Sequence, residues 1–216
     1  MNSWLSITSL GDSNLTLPAA LAITIWLGYT RAWRLAAGWS MLFGFGLALV
    51  LVTKIAFVGW GIGIRALDFT GISGHAMRAA AILPVMALLM TKNLGPQARA
   101  AGLAAGWGLA VLVGLSRYVV HAHSFSEALA GCLLGVLVAM GFMRLCREQP
   151  TPAVPGWLLA FGLLALLPSS QAKPAPTTQW VNGVALYLAG HDRPYDRELW
   201  LAAGKPRRPP PAAHRM

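Results

Sequence analysis

Charged residues are scarce in this sequence. Only 11% of its 216 residues are Asp, Glu, Lys or Arg, whereas a soluble globular domain carries about 25%. Hydrophobic residues make up 56% of the chain and fall into long uninterrupted runs. This balance excludes an ordinary soluble enzyme, and we expect lipid to be the solvent for most of the chain.

Acidic residues and cysteines are also few. Seven Asp and Glu oppose 17 Lys and Arg, for a net charge of +10. The basic residues form no stripe interleaved with aromatics, so a nucleic-acid partner is not expected. Cys132 and Cys146 fall on one predicted helix, too far apart to bridge, which excludes a disulfide scaffold. Asp12, rather than a basic stretch, precedes the first apolar run, so no cleavable signal peptide is expected.

The apolar runs predict an all-α, polytopic membrane protein built as a six-transmembrane-helix bundle. We assign residues 1–170 to this membrane domain and residues 171–216 to a basic, Pro-rich tail. Several runs are shorter than the ~20 residues of a perpendicular span, so their ends must extend into polar neighbours. The six segments are Leu15–Tyr29, Gly38–Val58, Gly74–Met90, Ala101–Leu115, Glu127–Phe142 and Gly156–Leu167.

The tail carries one weaker pattern. Apolar residues recur at helical spacing over Trp180–Leu188, which predicts either a short interfacial helix or a loosely ordered segment. The last dozen residues are predicted to be disordered because they combine basic residues with several prolines.

The basic residues of the short loops predict the orientation. Loops after the first, third and fifth segments hold most of them, and that face is expected to be cytoplasmic by the positive-inside rule. The opposite face and the tail would then lie in the periplasm, with the chain in a bacterial inner membrane. The loop residues are Arg31, Arg34, Lys92, Arg99, Arg144 and Arg147.

Most candidate functional residues converge on this second face. Successive segments run in opposite directions, so the end of the second, the start of the third, the end of the fourth and the start of the fifth meet on one side. Ionisable groups at such positions are costly in a membrane and indicate function. These stretches contribute Lys54, Arg65, Asp68, Ser73, Gly74, His75, Arg117, His121, His123 and Glu127.

The residue types indicate chemistry on a multiply charged anion. Lysine and arginine bind phosphate oxygens, and the free N–H groups at a helix start after Gly74 favour the same ligand. His123 and Glu127 are spaced i, i+4, so the carboxylate can fix the imidazole tautomer and raise its basicity. His75, on another helix, is available to protonate a leaving oxygen.

The run Ser116-Arg117, five residues, His123, three residues, Glu127 resembles the third signature of the type 2 phosphatidic acid phosphatase superfamily, which includes the vanadium-dependent haloperoxidases. Ser73-Gly74-His75 resembles its second signature, and Lys54 the start of its first. The resemblance implies a six-helix bundle and a phosphohistidine reaction without metal or other cofactor. It makes His123 the nucleophile, Glu127 its orienting carboxylate and His75 the general acid. Lys54, Ser73, Gly74 and Arg117 would hold the phosphoryl group.

Three positions depart from the family pattern. The next arginine after Lys54 is Arg65, eleven residues on and followed by Ala66 instead of proline, and we assign it the second cation of the first signature. Ile72 replaces the proline before Ser73. Glu127 replaces the usual aspartate, so the geometry between carboxylate and imidazole must adjust to an extra methylene.

We therefore expect a lipid phosphatase that hydrolyses undecaprenyl diphosphate, phosphatidylglycerol phosphate, phosphatidic acid or a lipid A phosphate, with membrane lipids as its surroundings. A lipid phosphotransferase, an anion-binding transporter and a zinc hydrolase using His121 and His123 are the alternatives. Lys54 could instead snorkel to the interface, and Arg65 could contact lipid headgroups.

Overall fold

The computed structural model describes residues 2–149, 177–190 and 192–203. These residues are mainly helical and contain no strand, only an isolated bridge between Ile64 and Phe69. The all-α prediction is confirmed for this part of the chain. The helices are α1 Asn2–Ser9, α2 Ser13–Tyr29, α3 Trp33–Trp60, α4 Gly74–Thr91, α5 Pro96–Val119, α6 Phe125–Glu148, α7 Thr177–Ala189 and α8 Arg197–Ala203.

Four of these helices, α3 to α6, are long and apolar enough to cross a membrane. Helix α2 has 17 residues, the lower end of the ~17–25 that a span needs. The first five predicted segments lie on α2 to α6. The sixth, Gly156–Leu167, lies outside the described residues, as do the last dozen residues, so the count of six helices stays a prediction.

The helices extend beyond the apolar runs that predicted them. The run Ala101–Leu115 lies within α5, which begins at Pro96 directly after Gly95 and continues to Val119. Proline is favoured at a helix start because its fixed φ suits the first turn and its missing N–H needs no partner there. The polar ends of these helices therefore carry residues such as Arg117 to the rim of the bundle.

Helix α4 is the centre of the bundle and packs against both α5 and α6. Twelve of its 18 residues are buried, among them Ala79, Ala80 and Ala81. On α6, a Cβ at Gly131 would meet the carbonyl oxygen of Ser73, and one at Gly135 would meet that of Met77. Glycine at these two positions lets the helices approach closely, which brings the start of α4 beside the start of α6.

The outward faces of the long helices are apolar. On α3, Phe45 is 64% exposed, and on α6, Leu137 is 67% exposed. Apolar side chains of this size, exposed along whole helix faces, would be unfavourable in water but are suited to lipid. The exposed faces therefore agree with a membrane-embedded bundle.

Helix α7 lies along α3 and contains the predicted Trp180–Leu188 segment. Its fully buried Ala185 packs against α3 at Gly59, where a Cβ would lie 3.2 Å from the Ala185 carbonyl oxygen. This part of the tail therefore packs against the bundle. Its position at the membrane interface stays a prediction.

Candidate active site

The rim where α3 and α5 end and α4 and α6 begin encloses a cavity of about 810 Å³. Six of the eight site residues predicted from the sequence line it together, on four different helices and one loop. They are Lys54, Gly74, His75, Arg117, His123 and Glu127. Residues separated by up to 73 positions in the sequence thus share one cavity, whose size suits a phosphate group with part of its substituent.

His123 and Glu127 form a short hydrogen bond in this cavity. The Nδ1 atom of His123 lies 2.8 Å from Oε2 of Glu127. The main chain at His123 is held in place because its backbone N–H donates to the carbonyl oxygen of Arg117. A carboxylate at Nδ1 favours the tautomer with its proton on that nitrogen, which leaves Nε2 with a lone pair for attack on an electrophile.

A capping box at the start of α6 explains how a glutamate fits here. The Ser124 hydroxyl accepts from the Glu127 N–H, and the Ser124 N–H donates to Oε2 of Glu127 at 3.2 Å. Glutamate at the third helical position is the residue that such a box requires. Because its carboxylate folds back over the helix start, the extra methylene of Glu127 still allows the contact with His123.

The second carboxylate oxygen of Glu127 is held by Thr70, which the sequence analysis missed. The Thr70 backbone N–H and hydroxyl donate to Oε1 at 2.7 Å and 2.5 Å. The Glu127 residue is fully buried. A buried carboxylate needs several donors to stay charged, and these bonds supply two of them.

The charge state of His123 follows from its surroundings. Burial lowers the pKa of the His123 imidazole, and the nearby cations Lys54 and Arg117 lower it further. Hydrogen bonding to Glu127 opposes them without reversing the shift. The His123 ring is therefore neutral at neutral pH, the state in which an imidazole can act as a nucleophile.

Cations surround the His123 side of the cavity. Lys54 packs under Gly71, whose φ of +151° and close approach to the Lys54 backbone leave little room for a side chain. The Arg117 Nη1 donates to the Thr8 hydroxyl at 2.8 Å. The buried Arg78 also lines the cavity and donates to the Gly11 carbonyl oxygen at 3.0 Å. The short helix α1 and the turn after it therefore support the site from outside the motifs.

Two buried polar atoms at the site have no hydrogen-bond partner in the described part of the chain. They are Oγ of Ser73 and Nε of Arg117. Ser73 is fully buried, is not among the residues lining the cavity, and stands at the N-cap of α4 without making the usual capping bond. Such atoms are costly unless a ligand satisfies them.

The structure does not bring Arg65 to the cavity. Its Nε donates to the carbonyl oxygen of Trp200 at 3.2 Å, and its guanidinium lies 4.9 Å from the Trp200 ring centroid. The loop after α3 turns back at Asp68, which has a left-handed φ of +48°. This turn directs Arg65 onto α8, whereas Arg197 of α8 lines the cavity instead.

His121 also lies apart from the cavity. It is exposed, and its Nδ1 lies 3.3 Å from the carbonyl oxygen of Tyr118. Within the described ranges, no group of three or more His, Cys, Asp or Glu residues is arranged to hold a metal ion. The geometry therefore gives no support to a zinc site built on His121 and His123.

Comparisons with known proteins show the family to which the chain belongs. The family model of the PAP2 superfamily matches residues 65–151. An uncharacterised 22.5 kDa protein from the cps region of Klebsiella pneumoniae is 38% identical over 90% of this chain and 96% of its own length. Phosphatidylglycerophosphatase B of Bacillus subtilis is 34% identical over 61% of this chain and 68% of its own length.

One solved structure shares the fold. The crystal structure of a transmembrane PAP2-type phosphatidylglycerolphosphate phosphatase from Bacillus subtilis matches with a TM-score of 0.54 and 24% identity, covering 70% of this chain and 79% of that one. The chain therefore belongs to the PAP2 superfamily, as its motifs predicted. By sequence it is related to a phosphatidylglycerophosphatase, and it shares its fold with a transmembrane PAP2-type phosphatase.

Proposed function

We propose that this protein is a membrane phosphatase that hydrolyses the phosphate ester or diphosphate of a lipid through a phosphohistidine intermediate. The observation that carries the proposal is the His123–Glu127 contact of 2.8 Å inside a cavity that is rich in cations and also lined by His75. An activated imidazole, a second imidazole and several cations are the groups that metal-independent phosphoryl transfer needs.

In the first step, Nε2 of His123 attacks phosphorus and the bond from phosphorus to the lipid oxygen breaks. Glu127 stabilises the positive charge that develops on the imidazole, because its carboxylate stays at Nδ1. His75 gives its proton to the departing oxygen, so that an alcohol, or a lipid monophosphate from a diphosphate, leaves.

In the second step, water attacks the phosphorus atom of the phosphohistidine. His75, now neutral, takes a proton from this water as the bond between phosphorus and Nε2 breaks. Inorganic phosphate leaves, and His123 returns to its neutral form beside Glu127. His123 thus carries the phosphoryl group, and His75 transfers the proton in both steps.

The phosphoryl group would be held by Lys54, Arg117, the Gly74 N–H and Ser73. A phosphate oxygen at the start of α4 would satisfy the Arg117 Nε, and it would reach the Ser73 hydroxyl once that side chain turns towards the cavity, which it does not line in the structure; both atoms are buried without a partner in the described part of the chain. The N-terminus of α4 adds its free N–H groups and positive dipole end. These donors stabilise the charge on the equatorial oxygens in the transition state.

The rest of the cavity suits an amphiphile. Its wall between α3 and α7 is largely apolar and contains Leu47, Val50, Leu51, Ile55, Trp180, Val181 and Val184. A lipid could place its phosphate among the cations and the start of its tail on this wall. The likeness to a phosphatidylglycerophosphatase places phosphatidylglycerol phosphate among the substrates to test, beside phosphatidic acid, undecaprenyl diphosphate and lipid A phosphates.

We further propose that the cavity opens to the periplasmic face of a bacterial inner membrane. The basic loops at the other ends of the helices support this orientation, because such loops are retained in the cytoplasm. Substrates would then arrive in the outer leaflet, with the released phosphate leaving to the periplasm.

The proposal is tested by phosphate release from these four lipid classes with purified protein in detergent. His123→Ala removes the nucleophile and should abolish release. His121→Ala removes an exposed histidine two residues away and should leave the rate near that of the wild type. EDTA should have no effect, because no step uses a metal ion.

Three outcomes would contradict the proposal. Release that survives in His123→Ala would exclude a phosphohistidine at this position. Loss of activity on adding EDTA would favour a metal-dependent hydrolase. Tight binding of a lipid phosphate or inorganic phosphate without turnover on any lipid of the panel would favour an anion-binding or transport protein.

A further inference from the structure

The C-terminal segment 192–203 packs onto the last turns of α3 and the loop that follows it. The Tyr195 backbone N–H donates to the carbonyl oxygen of Val58 at 3.0 Å. Trp200 is only 7% exposed, and its ring meets that of Phe57 edge-on at 5.4 Å. A hydrogen bond and a buried tryptophan therefore hold the segment beside the active-site rim.

Glycines in the loop make room for this segment. A Cβ at Gly61 would lie 2.8 Å from the Tyr195 ring, and Gly61 has a left-handed φ of +66° where it ends α3. A Cβ at Gly63 would lie 3.0 Å from the Trp200 ring. The two glycines thus allow the aromatic rings to pack on the backbone, as glycine does wherever a close approach is needed.

The docked segment delivers Arg197 to the catalytic carboxylate. The Arg197 Nη1 donates to Oε2 of Glu127 at 3.3 Å, and this is the oxygen that contacts His123. The Arg197 Nε donates to Oδ1 of Asp68 at 3.0 Å, and its Nη2 donates to the Asp68 carbonyl oxygen at 2.9 Å. One planar guanidinium therefore joins the loop after α3 to the start of α6.

Arg197 stays protonated in this position. Burial opposes the positive charge, but the carboxylates of Asp68 and Glu127 outweigh burial and raise the pKa of Arg197. Asp68 forms an ion pair with Nη2 at 2.7 Å and so fixes the side of the guanidinium that faces away from Glu127. A fixed cation beside a buried carboxylate limits both its rotation and its negative charge.

Arg65 also contacts the C-terminal segment, but at Trp200. Its bond to the Trp200 carbonyl oxygen and its stacking on the Trp200 ring fasten the segment from the loop side. Arg65 therefore acts on α8, while Arg197 acts on Glu127. Arg197, 132 positions later in the sequence, lines the cavity that Arg65 does not reach.

We propose that Arg197 is a positioning residue for Glu127, supplied to the active site by the C-terminal segment 192–203. This inference depends on the proposed phosphatase function, in which Glu127 orients His123. Arg197 would hold the Glu127 carboxylate in the plane of the imidazole and moderate the basicity that Glu127 confers on His123.

The first test compares Arg197→Gln with Arg193→Gln in the full-length protein. Arg193 is exposed in the same segment, so both variants lose one positive charge. Arg197→Gln should lower kcat about tenfold, the effect expected for one charge-assisted hydrogen bond, with little change in KM. Arg193→Gln should behave as the wild type, and Arg197→Lys should recover part of the loss.

The pH profile separates positioning from a purely structural role. Loss of the Arg197 cation leaves the Glu127 charge less compensated, which favours protonated His123 and moves the acid limb of kcat/KM to higher pH. The charged groups facing His123 from the surrounding elements are otherwise unchanged in both variants. They are Glu127 on α6, Arg117 on α5, His75 on α4 and Lys54 on α3.

The partner of Arg197 provides a second variant. Asp68→Asn weakens the ion pair with Arg197 and leaves Glu127 unchanged. It should also lower kcat, as Arg197→Gln does. Because both changes act through one contact, the double variant Asp68→Asn with Arg197→Gln should be no slower than Arg197→Gln alone. Additive losses would contradict the proposal.

Failure of the inference is distinguishable from failure of the proposed function. If release depends on His123 but Arg197→Gln matches Arg193→Gln in rate and acid limb, Arg197 is no positioning residue and the phosphatase assignment stands. If no lipid is hydrolysed, titration of the His123 ring by NMR still shows whether Arg197 acts on His123 through Glu127. A His123 pKa raised in Arg197→Gln but not in Arg193→Gln supports the inference, and an unchanged value overturns it.

Discussion

Thr70 and Glu127, 57 positions apart in the sequence, are joined by two hydrogen bonds to a single carboxylate oxygen, Oε1. The other oxygen, Oε2, contacts His123 and the Ser124 N–H. One oxygen therefore serves only to position the carboxylate, while the other both caps α6 and faces His123. The orientation of the carboxylate is fixed before any substrate binds, which reduces the reorganisation that catalysis requires.

Replacing Glu127 by glutamine separates its two roles. Glutamine keeps one carbonyl oxygen for the capping box but turns its NH2 group towards the Thr70 donors, so Glu127→Gln should retain the fold with a lowered melting temperature. Its amide cannot stabilise the imidazolium that forms on attack, so kcat should fall about 10²-fold or more. Steady-state kinetics and thermal unfolding in detergent measure the two effects. Near-normal turnover would show that the carboxylate serves only as a helix cap.

Thr70→Val should lower activity without unfolding the protein. Valine has the same shape but loses the hydroxyl that donates to Oε1, while the backbone N–H bond remains. Loss of one bond to a charged group predicts a decrease of about tenfold in kcat. Thr91→Val, at the other end of α4, removes a hydroxyl bonded to the Ala87 carbonyl oxygen and should have no such effect.

The pH dependence of the reaction follows from His123. Its pKa is lowered from the ordinary 6.5, chiefly by burial, so the acid limb of kcat/KM should lie below pH 6.5. Lys54 is one of the cations that lower it. Lys54→Gln should therefore move the limb to higher pH, in addition to weakening phosphate binding. A limb that stays in place would show that Lys54 does not act on His123.

Close packing between α4 and α6 predicts that alanine costs more stability at Gly135, which lies in this contact, than at Gly108, which lies outside it. A Cβ at Gly135 would overlap the Met77 carbonyl oxygen, so Gly135→Ala should destabilise the protein by roughly 1–3 kcal/mol. A Cβ at Gly108 on α5 would meet nothing within 4 Å. Gly108→Ala should therefore cost no stability, and thermal unfolding in detergent compares the two. Equal melting temperatures would contradict this account of the helix contact.

Cysteine labelling in intact cells tests the orientation. In a protein whose two native cysteines are replaced by alanine, Asp192→Cys on the cavity side should react with a membrane-impermeant maleimide. Gln97→Cys, at the exposed start of α5, should react only after permeabilisation. The reverse pattern would place the cavity in the cytoplasm.

The sequence was informative where its signals were local or periodic. The apolar runs located α2 to α6, and the spacing of His123 and Glu127 predicted their contact. The capping box at Ser124 was also readable, as a serine followed three residues later by glutamate before an apolar run. The capping box explains why Glu127 stands where the family pattern has aspartate.

The remaining contacts depend on tertiary packing and leave no local signal. Thr70 reaches Glu127 from a loop, and Arg197 reaches it from 70 positions away. Arg65 lies nearer to Lys54 in the sequence, yet the turn at Asp68 directs it onto Trp200. Nothing in the spacing of these residues predicts which arginine arrives at the cavity.

The central claim is that His123 carries the phosphoryl group, and trapping that intermediate tests it most directly. Purified protein would be mixed with a lipid labelled with ³²P in its phosphate, quenched in alkali within the first turnover and digested, and the labelled peptide sequenced. The account predicts an acid-labile, alkali-stable label on the peptide containing His123, absent in His123→Ala and present in His121→Ala. Release of phosphate with no labelled peptide, or a label retained in His123→Ala, would contradict it.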